Sequence, residues 1–260
     1  MLKDNMLKVS TEMDKRTTYN IKSSIISESL YWAVFFGFLM LKCFYFHFTT
    51  RLNLRPINFS TDILMLTSTL GTLMLFSSLI VLVFKKHRPR ALLAINLLLS
   101  LVLFADTIYY RYYYTSLSVP VLFQIGLIDS VGDSVVSLIK PKDIIYALDI
   151  PLMLAGLYMM KQTGYTAVRF SMRALASVIL IVFGLTPIGI AYKNSDTSLF
   201  YYDNNYVIKS LGIHYFHLRD AAKFIKDNYL TNRKATDDEI NAVNEFFSSK
   251  QKSGNKFYGI

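Results

Sequence analysis

The chain has 260 residues, 53% of them hydrophobic and 18% charged, and a formal net charge of +10. Soluble domains carry about 25% charged residues; here the deficit is gathered in separated blocks, which points away from a soluble domain and towards a multi-pass membrane protein. Nucleic acid is not the partner the positive charge implies, because clusters such as KKHRPR (Lys85 to Arg90) are wedged between apolar runs and no nucleic-acid-binding motif accompanies them.

About 20 apolar residues cross the ~30 Å hydrocarbon core of a bilayer. Residues 1–29 form a polar leader, expected to be cytoplasmic. Five apolar blocks follow: Leu30–Phe48, Ile63–Phe84, Ala91–Tyr110, Ile144–Met160 and Ala174–Tyr192. The first is too long for the apolar region of a signal peptide and has no small-residue cleavage pattern behind it. The fourth is short and interrupted by Asp149 and Pro151. The fold expected is all-α: a five-helix transmembrane domain over 30–192, then an extracellular helical linker over 193–260.

Lysine and arginine alternate cleanly between connections. The leader carries Lys3, Lys8, Lys15, Arg16 and Lys22; the second connection carries Lys85, Lys86, Arg88 and Arg90; the fourth carries Lys161, Arg169 and Arg173. The first has only Arg51 and Arg55, and the longer third only Arg111, Lys140 and Lys142. By the positive-inside rule the N-terminus is cytoplasmic and the C-terminus extracellular.

The third block ends in five tyrosines around Arg111, from Tyr109 to Tyr114. Tyrosine suits headgroup depth, where its ring stays apolar and its hydroxyl wet. Ser118 and Pro120 then signal a helix start, and two short amphipathic stretches up to Pro141 predict a pair of interfacial helices. Past the fifth block, Tyr206 to Leu230 predicts an amphipathic helix broken near Gly212. Thr236 and Glu239 form a capping box before a helix with Ile240, Val243, Phe246 and Phe247 on one face.

No phosphate-binding glycine loop, zinc spacing or nucleophile elbow is present. His214, His217 and Asp220 share a helical face but lack a fourth metal ligand. Cys43, the single cysteine, reads as a small apolar core residue. Intramembrane charge is costly, which singles out Lys42, Asp106 and Asp149. Lys42 is expected to snorkel. The two carboxylates fit either mutual neutralisation (Asp106 with Arg111, Asp149 with Lys142) or a lipid-headgroup site.

Three blocks, ADTIYYRYYYTSLSVPVLFQ, VGDSVVSLIKPKDIIYALD and LFYYDNNYVIKSLGIHYFHLRDAAKFI, in this order and at this spacing to the five spans, resemble the N-terminal part of the lipoteichoic acid synthase family of Gram-positive bacteria. The resemblance extends from about Leu30 to Ile260. It implies five transmembrane helices ahead of an extracellular domain of the alkaline-phosphatase type, which uses a threonine nucleophile and manganese to move glycerol phosphate from phosphatidylglycerol onto a growing polymer. On that resemblance the catalytic and metal-binding residues lie beyond Ile260, so no cofactor is expected in these residues and no transfer from them alone.

The expected role is anchoring and lipid presentation in the bacterial cell membrane. Arg111 would take the phosphate, because its planar fork can bond two oxygens, with Asp106, Tyr110, Gln124 and Asp149 completing the headgroup site. A scaffold that binds an extracellular partner enzyme is the alternative. A transporter is disfavoured by the lack of an internal repeat.

Overall fold

The computed structural model describes residues 2–50, 59–122, 136–163, 168–230 and 240–246. Among them there is no strand. The helices are α1 (Leu2–Thr50), α2 (Phe59–Val83), α3 (Arg88–Tyr113), a single turn α4 (Val119–Leu122), α5 (Asp149–Thr163), α6 (Phe170–Lys193), α7 (Asn204–Leu211) and α8 (Ile213–Ile225). Five segments are long and apolar enough to cross a membrane: Ile26–Thr50, Thr61–Val83, Arg88–Tyr113, Pro141–Met160 and Phe170–Lys193. Four contain a block read from the sequence in full and Thr61–Val83 lacks only Phe84 of its block, which makes this an all-α polytopic membrane protein.

Local chemistry sets the ends. Pro89 lies in the first turn of α3, where its missing N–H costs nothing. The helix stops at Tyr114, the one non-glycine residue with positive φ (57°) among those described, whose N–H returns to the Tyr110 carbonyl. The Arg173 guanidinium of α6 donates to the Leu82 carbonyl at 2.8 Å and so satisfies an otherwise orphaned end of α2.

The fourth span is discontinuous. A 3₁₀ turn covers Pro141–Tyr146, a turn at Ala147 and Leu148 interrupts the helix, and α5 begins at Asp149 with Pro151 in its first turn. The interruption read from Asp149 and Pro151 is thus a true break. Irregular backbone at membrane depth is tolerated where it lines a cavity, and Ala147 lines one.

α1 is the hub, touching α2, α3 and α5, while α6 lies against α2. The α2–α6 seam is closed by absent side chains. A Cβ on Gly71 would overlap the Gly184 carbonyl oxygen and come within 2.9 Å of Pro187 Cγ; one on Gly184 would lie 2.7 Å from the Gly71 oxygen. Ser177 adds a hydrogen bond to the Ser78 carbonyl at 3.0 Å. Such small-residue contact is how helices associate in lipid, where no hydrophobic force drives them together.

Residues 1–220 form one compact unit and 221–260 another. In the first unit, the segment taken as the start of an extracellular linker is built into the core. Asp203 caps α7 by accepting from the Asn205 and Tyr206 N–H groups. Val207, Ile208, Leu211, Ile213 and Phe216 are buried with Phe46, Leu103 and Tyr110 at the tyrosine-rich end of the bundle. The predicted break near Gly212 is present: φ is +87°, and a Cβ there would overlap Thr69 of α2. In the second unit, residues 240–246 are helical and expose Ile240, Val243 and Phe246.

Candidate functional site

A groove of about 630 Å³ runs between α3 and the discontinuous fourth span. Its walls are apolar: Leu97, Leu101 and Phe104 from α3, and Ile144, Ala147 and Ile150 opposite. Ser100, Lys140 and Asp143 supply the polar lining. The groove faces outward, since Leu101 is 64% and Ile144 65% exposed. Leu97 lies about 24 Å along α3 from Tyr113, at 1.5 Å per residue. The groove's lining on α3, from Leu97 to Phe104, covers about 10 Å of that length.

The break in the fourth span creates this space. A helix continuous from Pro141 would press a full ridge of side chains against α3; the 3₁₀ turn and the two-residue step displace that ridge. Two charged ties hold the walls at a distance. At the mouth, Arg111 grips Asp143 with both arms of its fork, at 2.6 and 2.7 Å, and donates to the Leu138 carbonyl at 2.8 Å. Asp143 also accepts from the Lys140 N–H at 2.8 Å and the Tyr45 hydroxyl at 3.2 Å. Lower down, Lys42 Nζ donates to Asp149 Oδ1 and Ser100 Oγ, both at 2.6 Å, and Asn96 Nδ2 donates to Asp149 Oδ2 at 2.8 Å.

These pairings differ from those expected. Arg111 pairs with Asp143 rather than Asp106, and Asp149 with Lys42 rather than Lys142. Lys42 does not snorkel; it is fully buried. Asp106, also fully buried, accepts from His217 Nε2 at 2.6 Å and the Leu117 N–H at 2.9 Å, and so ties α8 and the chain after α3 to the bundle. Tyr110 is buried in the core at the same end. Gln124 lies outside the described residues, as does most of the predicted pair of interfacial helices. The four expected residues that are described are therefore not gathered in one place. Arg111 stands at the groove mouth, Asp149 behind its deep end, and Asp106 and Tyr110 in the bundle interior.

His214, His217 and Asp220 do not converge either. His214 Nε2 meets Cys43 Sγ at 3.3 Å, His217 meets Asp106, and Asp220 accepts from the Val119 N–H. Burial, with His217 nearby, pushes the His214 pKa down to about 3, so the ring is neutral. Among the described residues no group of three or more His, Cys, Asp or Glu side chains is placed to hold a metal ion.

Sequence reasoning missed Asp143, Ser100 and Asn96. Asp143 had a signal, since it follows Lys140, Pro141 and Lys142 in the KPKD stretch beside a predicted helix start. Ser100 and Asn96 had none beyond being polar residues in an apolar run.

A family model described as the lipoteichoic acid synthase N-terminal domain matches residues 11–233. Lipoteichoic acid synthase 2 of Bacillus subtilis (strain 168) is 28% identical over 188 residues, covering 71% of this chain and 28% of the relative. Lipoteichoic acid synthase 1 of the same strain is 24% identical over 250 residues, 95% of this chain and 37% of the relative. A lipoteichoic acid synthase of Staphylococcus saprophyticus is 28% identical over 164 residues, 62% of this chain. The chain thus spans between a quarter and two-fifths of the length of these relatives, from 25% to 37%. No solved structure matches it.

Proposed function

Because the chain belongs to the lipoteichoic acid synthase family through its N-terminal domain, we propose that it is the membrane region of a glycerol-phosphate transferase and that it presents phosphatidylglycerol in the groove between α3 and the fourth span. The N-terminus is cytoplasmic in this reading and the tyrosine-rich end faces outward, which the lysine and arginine distribution supports. The observation that carries it is the form of the groove: open to the side, apolar along its length and charged at its mouth.

The mouth favours an anionic headgroup. Arg111, Lys140 and Lys142 bring three positive charges against the one carboxylate of Asp143, a balance of +2. Lys140, exposed at the rim, meets the phosphate. Arg111, already held by Asp143, adds its field and fixes the rim. An acyl chain in the groove fixes the phosphodiester at one depth and one azimuth, which orients the bond that a transferase domain must attack. The manganese that the resemblance implies has no ligand set among the described residues, and none of them is assigned to it.

The test is lipid retention by the purified chain, read by native mass spectrometry with phosphatidylglycerol and phosphatidylethanolamine. Leu101→Trp, which fills the groove, is expected to reduce both, and Lys140→Ala to reduce phosphatidylglycerol alone. Unchanged retention in Leu101→Trp would remove the groove from the reading. A second reading, a scaffold for a partner protein, draws on the exposed Ile240, Val243 and Phe246; Phe246→Ser would then abolish partner capture without altering lipid retention.

A further inference from the structure

We infer that Lys42, which lines no part of the groove, is a positioning residue that sets the width of its deep end. The inference rests on the groove reading above. Ser100 belongs to one wall of the groove, and Asp149 immediately precedes Ile150 of the other. A single ammonium on α1 bonds both, at 2.6 Å each, from behind the groove. Arg111 and Asp143 join the same two walls at the mouth. On α3 the two ties lie about 16 Å apart at 1.5 Å per residue, and Leu101 and Phe104 fall between them.

Asp149 is the first residue of α5. The backbone before it passes through a turn at Ala147 and Leu148 rather than a continuous helix, and side-chain bonds tie this helix start to its neighbours. Asn96 holds Asp149 Oδ2 from α3, and Lys42 holds Oδ1 from α1. Together they fix the helix start relative to two elements, which a single bond cannot do. All three side chains are fully buried, so water offers no competing partner. Lys42 therefore acts on the lipid through the walls, without touching it.

Removing Lys42 alone would strand a buried carboxylate, so the informative change removes both charges. In K42M/D149N the side-chain volumes and the Asn96 bond remain, and replacement of a buried ion pair by a well-packed neutral pair is often tolerated. The full chain in detergent is titrated with phosphatidylglycerol, and thermal unfolding is followed in parallel. The variant is expected to unfold close to the parent and to bind the lipid roughly tenfold more weakly. Wild-type affinity in K42M/D149N would overturn the inference. Should that variant fail to fold, S100A and S100T take its place: loss of the hydroxyl weakens lipid binding and the threonine restores it, whereas equal affinity in both overturns the inference. Leu101→Trp separates the two levels. If it leaves binding intact, the groove reading fails; if it abolishes binding while K42M/D149N does not, only the role of Lys42 fails.

Discussion

Two seams run through this bundle, and they are held by opposite means. Between α2 and α6 the backbones touch, because Gly71 and Gly184 have no side chains to separate them. Between α3 and the fourth span the walls stand apart, joined by Lys42 to Asp149 and Ser100 and by Arg111 to Asp143. The first is held by shape and leaves no room. The second is held at two points by charge and keeps a groove of about 630 Å³ between them. Close contact makes an anchor, whereas long polar side chains can brace a space open. The corner at Gly212 spans both, with α7 against α2 and α8 bonded to α1 and α3.

If charge holds the second seam, Lys42→Met alone should have the largest effect, about 3–5 kcal/mol lost because Asp149 stays buried without its counter-ion. Unfolding in a denaturing detergent series reads it, and a small loss would place the seam's strength elsewhere. If shape holds the first, Gly71→Val should cost about 3 kcal/mol by overpacking. Gly189→Ala on α6, where nothing lies within 4 Å, should be neutral in the same assay.

The corner sharpens the contrast through pH. His214 has a folded pKa of about 3 against an ordinary 6.5, so between these values the unfolded chain binds a proton that the folded one does not. Stability from this group therefore rises with pH up to about 6.5, and lowering the pH from 7 to 5 should cost about 2 kcal/mol. His214→Gln should flatten that slope, and the difference between the two pH curves is the quantity to read. A smaller loss is expected from Arg111→Lys, about 1 kcal/mol for the loss of a two-armed hydrogen bond, seen as a lower unfolding midpoint.

The spans were legible because length and apolarity are one-dimensional properties, and a bilayer demands both. The break at Asp149 and the corner at Gly212 were legible for a related reason: proline and glycine act on their own backbone. The pairings were not. Asp149 has Lys142 nearby in sequence, yet its partner Lys42 is on the first span. Proximity in sequence favours the wrong lysine because a 3₁₀ turn and a break intervene, and only the arrangement of α1 beside α3 and α5 decides. The burial of α7 was hidden too, since an amphipathic helix reads the same whether its apolar face meets lipid or protein.

The tie between Lys42 and Asp149 also bears on how the protein is made. The ammonium enters the membrane with the first span, while its carboxylate partner is encoded 107 residues later. At about 5–20 residues per second, synthesis leaves that cation without its counter-ion for roughly 5–20 s. Lys42 lies eight residues before the end of α1, about 12 Å along the helix, so its long stem lets the charge wait near the interface. The fourth span then brings the counter-ion, so its arrival completes a buried ion pair as well as the set of helices.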